Sequence, residues 1–309
     1  MPTPNTYVCT LSAQQAEELR LLLEDKGWEL DTVPYARWRG RLDGLCVVAY
    51  QSGKATVQGK GMADFIRFTL EPQVLKTFSF GYETELAELR SPEMFEPHAG
   101  IDESGKGDFL GPLCVAACYT TKAAATALLK AGVADSKTIK SDARIKQLDG
   151  IIRKQCAGQF SLIILHPETY NRLYDSIGNL NRLLAWGHAK ALENLLELVP
   201  SCPRAIDDQF ASDTNVVRRA LQERGRRIQL EQHPRAEADV AVAAASILAR
   251  AAFVRQMESL SQEAGIPLPK GGGQNATAAA RQLFEKLGEN ALRRFAKLHF
   301  KNTQEVFSQ

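Results

Sequence analysis

The sequence predicts an α/β protein, with a mixed sheet flanked by helices in its C-terminal part and a smaller α+β domain ahead of it. Three observations carry this expectation. From Ala99 onward, apolar runs of strand length alternate with helix-period segments, the pattern of a sheet covered on both faces. The N-terminal part reads strand, helix, three strands and helix, with turn residues between the strands. Between the two, residues 86–97 carry Glu, Ser and Pro without periodicity, as a connection does. The predicted domains are therefore 1–85 and 98–309, and a length of 309 residues suits about two.

In the first domain, residues 7–11 read as a strand. Ser12 caps the following helix with Gln15 as its capping-box partner, Ala16, Leu19, Leu22 and Leu23 form the apolar stripe, and Gly27 is the stop. Residues 36–42 alternate bases with other residues, so Arg37, Arg39 and Arg41 would share one strand face. Residues 45–50 and 55–58 form a hairpin about Ser52-Gly53, and Gly59-Lys60-Gly61 leads into a short helix at 63–69 that Pro72 ends.

In the second domain the strands are expected at 99–103, 113–121, 160–166, 204–210 and 227–232, with helices at 123–131, 142–156, 180–199 and 213–224. The tight link between the first two strands permits an antiparallel pair, which would make the sheet mixed. The remainder is helical and breaks at Pro267-Leu268-Pro269-Lys270-Gly271-Gly272-Gly273.

Composition narrows the function by exclusion. A net charge of +2 does not announce a nucleic-acid partner, so any such surface is local. No apolar run approaches the roughly 18 residues of a membrane span, and the N-terminus lacks the basic and apolar regions of a secretory signal. The six cysteines form no CxxC pair and mostly sit in apolar runs, as reduced thiols in a cytoplasm do.

Chemistry concentrates in acids beside apolar segments. Asp102-Glu103 end the first strand of the second domain and run into Gly105-Lys106-Gly107. Asp207-Asp208 lie in a strand, where Asp is disfavoured, and Glu237 or Asp239 precedes the small-residue segment Val240 to Ser246, whose side chains let a helix pack closely on a sheet. Convergent carboxylates can hold two divalent ions about 3.5–4 Å apart, the arrangement that serves phosphodiester cleavage. Strand neighbours point to opposite faces, so Asp102 and Glu103 share a site only if the strand ends or bulges between them. A P-loop is excluded because Gly107 stands where Ser or Thr is needed. His188, on the long helix, reads as a core or surface residue rather than a general base.

The order of motifs resembles bacterial ribonuclease HIII, a type 2 ribonuclease H. The resemblance is carried by Asp102-Glu103-Ser104-Gly105-Lys106-Gly107-Asp108-Phe109-Leu110-Gly111-Pro112, Asp135-Ser136-Lys137, Asn179-Leu180-Asn181, Ala185-Trp186-Gly187-His188, Asp208-Gln209-Phe210-Ala211, the segment from Ala243 to Arg250, and that from Leu298 to Thr303. Gly59-Lys60-Gly61 and the segment from Phe65 to Pro72 are similar to that family's N-terminal domain. The resemblance implies a ribonuclease H-like fold with a TATA-binding-protein-like domain before it. It implies cleavage of the RNA strand of RNA–DNA hybrids with Mg²⁺ or Mn²⁺, by a monomer with no obligate protein partner. Its four carboxylates fall on Asp102, Glu103, Asp208 and Glu237, with Asp239 close to the last. Substrate contacts are expected from Gly105, Lys106, Gly107, Ser136 and Lys137, and from Arg37, Arg39 and Lys60 of the N-terminal domain. Another two-metal nuclease of this fold, or a hybrid-binding protein without activity, is the alternative.

Overall fold

The computed structural model describes residues 6–308 apart from Thr214. The N-terminal residues 1–5, read above for a targeting signal, and Thr214, inside the helix expected at 213–224, lie outside the described residues. The chain divides into two compact units, Met1–Arg90 and Ser91–Gln309.

The first unit contains β1 (Thr6–Thr10), α1 (Ala13–Asp25), β2 (Glu29–Asp31), β3 (Ala36–Leu42), β4 (Leu45–Tyr50), β5 (Lys54–Gly59) and α2 (Met62–Phe65), followed by a π-helical segment Ile66–Leu75 and α3 (Glu83–Arg90). Its sheet is antiparallel throughout, in the order β1-β5-β4-β3-β2. The capping box forms as expected: the Gln15 N–H donates to Ser12 Oγ at 3.1 Å and the Ser12 N–H to Gln15 Oε1 at 2.9 Å. Trp38 turns inward from β3 and its indole N–H donates to the Ala16 carbonyl at 3.0 Å, tying sheet to helix. β2 escaped the sequence reading because three residues show no period. Pro72 does not end its helix but lies inside the π segment. A five-residue hydrogen-bond step removes the close carbonyl that a proline ring strikes in an α-helix. The connection read at 86–97 opens on part of α3, whose Glu, Leu and Ala are good helix formers.

The second unit opens with a 3₁₀ turn (Pro92–Phe95) and continues with β6 (His98–Ser104), β7 (Leu113–Thr120), α4 (Lys122–Lys130), α5 (Asp142–Gln155), β8 (Phe160–Leu165), α6 (Pro167–Ile177), α7 (Leu180–Leu198), β9 (Arg204–Asp208), α8 (Asn215–Ala220), β10 (Gln229–His233), α9 (Val240–Ala264), α10 (Gln274–Leu287), α11 (Glu289–Phe295) and α12 (Lys301–Phe307). The sheet order is β10-β9-β6-β7-β8. The pairs β6–β7 and β7–β8 are antiparallel, while β6–β9 and β9–β10 are parallel, so the sheet is mixed as predicted. α6 was not read from the sequence, although Tyr170, Leu173, Tyr174 and Ile177 give it an apolar stripe at helical spacing that packs on the core. The helix expected at 213–224 is shorter, because the buried carboxylate of Glu193 accepts the N–H groups of Gln222, Arg224 and Gly225 and turns the chain there.

Two helices cover the two faces of this sheet. Ile101, Val115 and Ala117 pack with Leu184, Leu192 and other residues of α7 in one core. On the other face α9 lies so close to β6 that a Cβ at Gly100 would overlap the backbone of Ala241 and Val242. The small residues of α9 permit this approach. α9 is also long and apolar enough by composition to cross a membrane, a length the sequence reading did not credit, yet 83% of its most apolar 18 residues are buried inside the protein's own fold.

Candidate active site

β6 stays regular through both of its acids. Asp102 lies opposite Ala116, Glu103 opposite Val115 and Ser104 opposite Cys114, with no bulge. The break expected between Asp102 and Glu103 is therefore absent, and the two side chains do leave on opposite faces. They still share a cleft of about 410 Å³, because it lies across the end of the strand and reaches both faces.

On the α9 face Asp102 is buried. Its Oδ1 accepts the N–H of Glu103 at 2.7 Å, and its Oδ2 has no hydrogen-bond partner. Burial, and then the charge of Glu103, pushes its carboxyl up to about 7. Asp208, ending β9, lines the same cleft, and its Oδ1 accepts the Ala236 N–H at 3.0 Å. That bond fixes the short 3₁₀ turn Ala236–Ala238 carrying Glu237. Glu237 lines an adjoining cavity, and one of its buried oxygens, Oε2, also lacks a partner. The Lys137 ammonium stands between them, 3.5 Å from Glu237 Oε1 and 3.9 Å from Asp208 Oδ2. Burial works against the charge of Lys137, but Asp102, Glu237 and Asp208 outweigh it and raise the lysine's pKa.

On the α7 face Glu103 meets His188, which the sequence reading set aside. Both ring nitrogens of this buried imidazole face carboxylates: Nε2 is 3.0 Å from Glu103 Oε2 and Nδ1 is 2.6 Å from Asp207 Oδ1. Burial favours neutral imidazole, but Asp207 and Glu103 prevail and raise His188 to about 10. Burial likewise works against ionised Glu103, yet His188 and then Lys106 hold it down at about 2. Asp207 is thus occupied with His188 and Gln232, and Asp208 is the member of the pair that reaches the cleft. The sequence offers only a histidine beside Gly187, a glycine where an added Cβ would come within 3.1 Å of a Val115 methyl.

Asp239 separates as clearly from Glu237. Its carboxylate caps α9, accepting the N–H groups of Ala241 and Val242 at 2.8 and 3.1 Å, and it meets buried His98 at 2.9 Å. It is committed to the helix start rather than the cleft.

The glycine turn divides in a similar way. Gly105 is buried at φ +94°, and a Cβ there would strike the Pro112 carbonyl and sit 2.9 Å from the Phe253 ring, so its conformation serves internal packing. Gly107 is exposed with open space around it. Lys106 lies 3.5 Å from Glu103 Oε1 and 5.3 Å from the centroid of the Phe210 ring. Ser136 is buried, its hydroxyl 2.7 Å from that of Ser246 on α9 and its carbonyl accepting from Arg250, which pins the loop that presents Lys137. Arg37, Arg39 and Lys60 belong to the first unit. There Arg39 makes a bidentate pair with Asp31 at 2.8 and 2.5 Å, Arg41 joins the same carboxylate at 2.7 Å, and Arg37 and Lys60 are exposed. The basic strand face is therefore partly neutralised by β2.

Among the described residues no three His, Cys, Asp or Glu side chains close into a finished metal shell. The donors nevertheless suit a hard divalent cation. All four acids are oxygen ligands, and Asp102 Oδ2 and Glu237 Oε2 are buried carboxylate oxygens without a partner, which is costly unless a cation meets them.

A family model described as Ribonuclease HII matches residues 99–303. A protein of Protochlamydia amoebophila named Ribonuclease HIII is 43% identical over 98% of this chain and 97% of its own length. One of the same name from Chlamydia pneumoniae is 41% identical over 100% and 99%. The crystal structure of Bst-RNase HIII in complex with Mn2+ is similar with a TM-score of 0.65 and 29% identity, covering 98% of each chain.

Proposed function

The chain belongs to the ribonuclease HII family and is a ribonuclease H; on that premise we propose that it cuts the RNA strand of RNA–DNA hybrids internally, assisted by two divalent ions, Mg²⁺ or Mn²⁺. The observation that carries this reading is the convergence of acids from separate segments on one strand end, with buried carboxylate oxygens left unpartnered beside an exposed glycine turn.

Asp102, Glu103, Asp208 and Glu237 would hold the cations. When bound, such a pair activates water and stabilises the leaving oxygen of the phosphodiester. The protein's own part is to arrange charge. Asp102 and Asp208 face the cleft from adjacent parallel strands, so their separation is set by the sheet. Lys137 offers an ammonium on a pinned loop to a flanking phosphate, and Lys106 offers a second next to Glu103. Gly107 lets the backbone approach the RNA sugar, whose 2′-hydroxyl distinguishes RNA from DNA. Arg37 and Lys60 of the first unit add phosphate contacts, a contribution that weakens with salt.

The test compares a hybrid, duplex DNA and single-stranded RNA of the same sequence, with Mg²⁺, with Mn²⁺ and with EDTA. Cleavage is expected of the hybrid's RNA strand alone, and only with metal. Asp102→Asn should reduce turnover by about 10³-fold, roughly 4 kcal/mol, while leaving the hybrid's dissociation constant unchanged. Cleavage of duplex DNA at the same rate, or full turnover by Asp102→Asn, would overturn the reading.

A further inference from the structure

His188 is wholly buried yet belongs to no core that requires a polar ring. Each of its nitrogens is spent on a carboxylate, and the line continues past it: Asp207 Oδ1 takes Nδ1 at 2.6 Å and Asp207 Oδ2 accepts the Gln232 side-chain amide at 2.8 Å. Both ring nitrogens can donate only when the imidazole carries two protons. The Phe210 ring lies edge-on against it with centroids 4.8 Å apart. An ion chain of this sort in a protein interior is costly to build and costly to interrupt. The strand alternation explains its place. Asp207 lies opposite Ile101 in the parallel register, so Asp207 and Glu103 leave the sheet on the α7 face together, and α7 delivers His188 between them.

We propose that His188, anchored by Asp207, is a positioning residue of the metal site: it holds the Glu103 carboxylate in the one orientation in which its remaining oxygen faces the cleft. The proposal rests on Glu103 being a metal ligand, as in the reading above. The chain of groups is carboxylate, imidazole, carboxylate, with only Glu103 open to the cleft. Ligating carboxylates that depend on such a partner lose about 10- to 100-fold in metal affinity when it is removed.

The test measures Mn²⁺ binding by calorimetry on the full chain without nucleic acid. His188→Leu should bind Mn²⁺ at least about 10-fold more weakly than wild type, His188→Gln, which keeps an N–H within reach of Glu103, should recover most of that loss, and Asp207→Asn should fall between them. Circular dichroism at the same temperature checks that each variant is folded. Should His188→Leu not fold, the near-isosteric Asp207→Asn decides. Unchanged or tighter Mn²⁺ binding in the folded variants would overturn the proposal, since His188 would then be packing alone or a charge opposing the metal. Wild-type chain that binds Mn²⁺ but does not cut hybrid would count against the ribonuclease reading and leave this one standing. Wild type that cuts hybrid, with His188→Leu binding Mn²⁺ normally, would remove this one alone.

Discussion

The two faces of the second unit's sheet treat their acids in opposite ways. On the α9 face Asp102 and Asp208 are gathered, and Asp102 keeps a buried oxygen without a hydrogen-bond partner. On the α7 face Glu103 and Asp207 share one imidazole, and each of their charges is met. The difference teaches that the sheet sorts acids by strand parity. One face is left with charge that an added cation would satisfy, and the other spends its charge on holding a side chain still. The proposed function would use both, because a ligand set is useful only if its members stay in place.

The sharpest way to break this comparison is to exchange the roles of Glu237 and Asp239. Glu237→Gln should lower hybrid cleavage by about 10²-fold or more, as loss of a charge that stabilises a transition state does. Asp239→Asn should change it by less than about threefold, since Asn caps a helix nearly as well as Asp. Parallel turnover measurements decide, and a larger loss for Asp239→Asn would move the fourth carboxylate to that position.

Packing gives the next contrast. Gly100→Ala sets a methyl group into the backbone of α9 and should cost about 3 kcal/mol or more, at the upper end of overpacking effects. Gly187→Ala meets only a Val115 methyl at 3.1 Å and gains about 1 kcal/mol of helix propensity, so its net effect should stay within about 1 kcal/mol of zero. Urea unfolding of both variants measures the gap, and equal costs would mean that α9 is no more closely seated than α7.

The last contrast is in pH. Asp102 stands at about 7 in the folded protein against an ordinary 3.8, so between those values the folded state keeps a proton that the unfolded chain has released. Metal-free stability should fall as pH rises through that window, and Asp102→Asn should remove the slope. Glu103, held at about 2 against 4.5, acts with the other sign: its contribution is complete above 4.5 and is lost as pH falls through about 2. Unfolding in EDTA at a series of pH values, with and without Asp102→Asn, separates the two faces.

Much of this was legible in the chain. The capping box at Ser12, the strand at Ala36–Leu42, the mixed sheet and the close seating of the Val240–Ala264 helix were all expected from local spacing. So was the set of acids, as residue types out of place in strands and beside a small-residue helix. What sequence could not do was assign partners. Adjacent Asp207 and Asp208 look alike in a string, as do Glu237 and Asp239, and a histidine on an apolar helix resembles any core histidine.

The sequence alone determined most of the strands and helices, because those depend on period, caps and turn residues within a few positions of one another; the end of α8, set by the Glu193 carboxylate, it did not. It also determined that the acids come in neighbouring pairs. Only the tertiary structure decided which of Asp207 and Asp208, and which of Glu237 and Asp239, is already taken by another group. That choice rests on contacts at long range: His188 stands 85 positions from Glu103, and His98 stands 141 from Asp239. A carboxylate's role follows from whether a proton donor is already beside it, and folding brings the donor there.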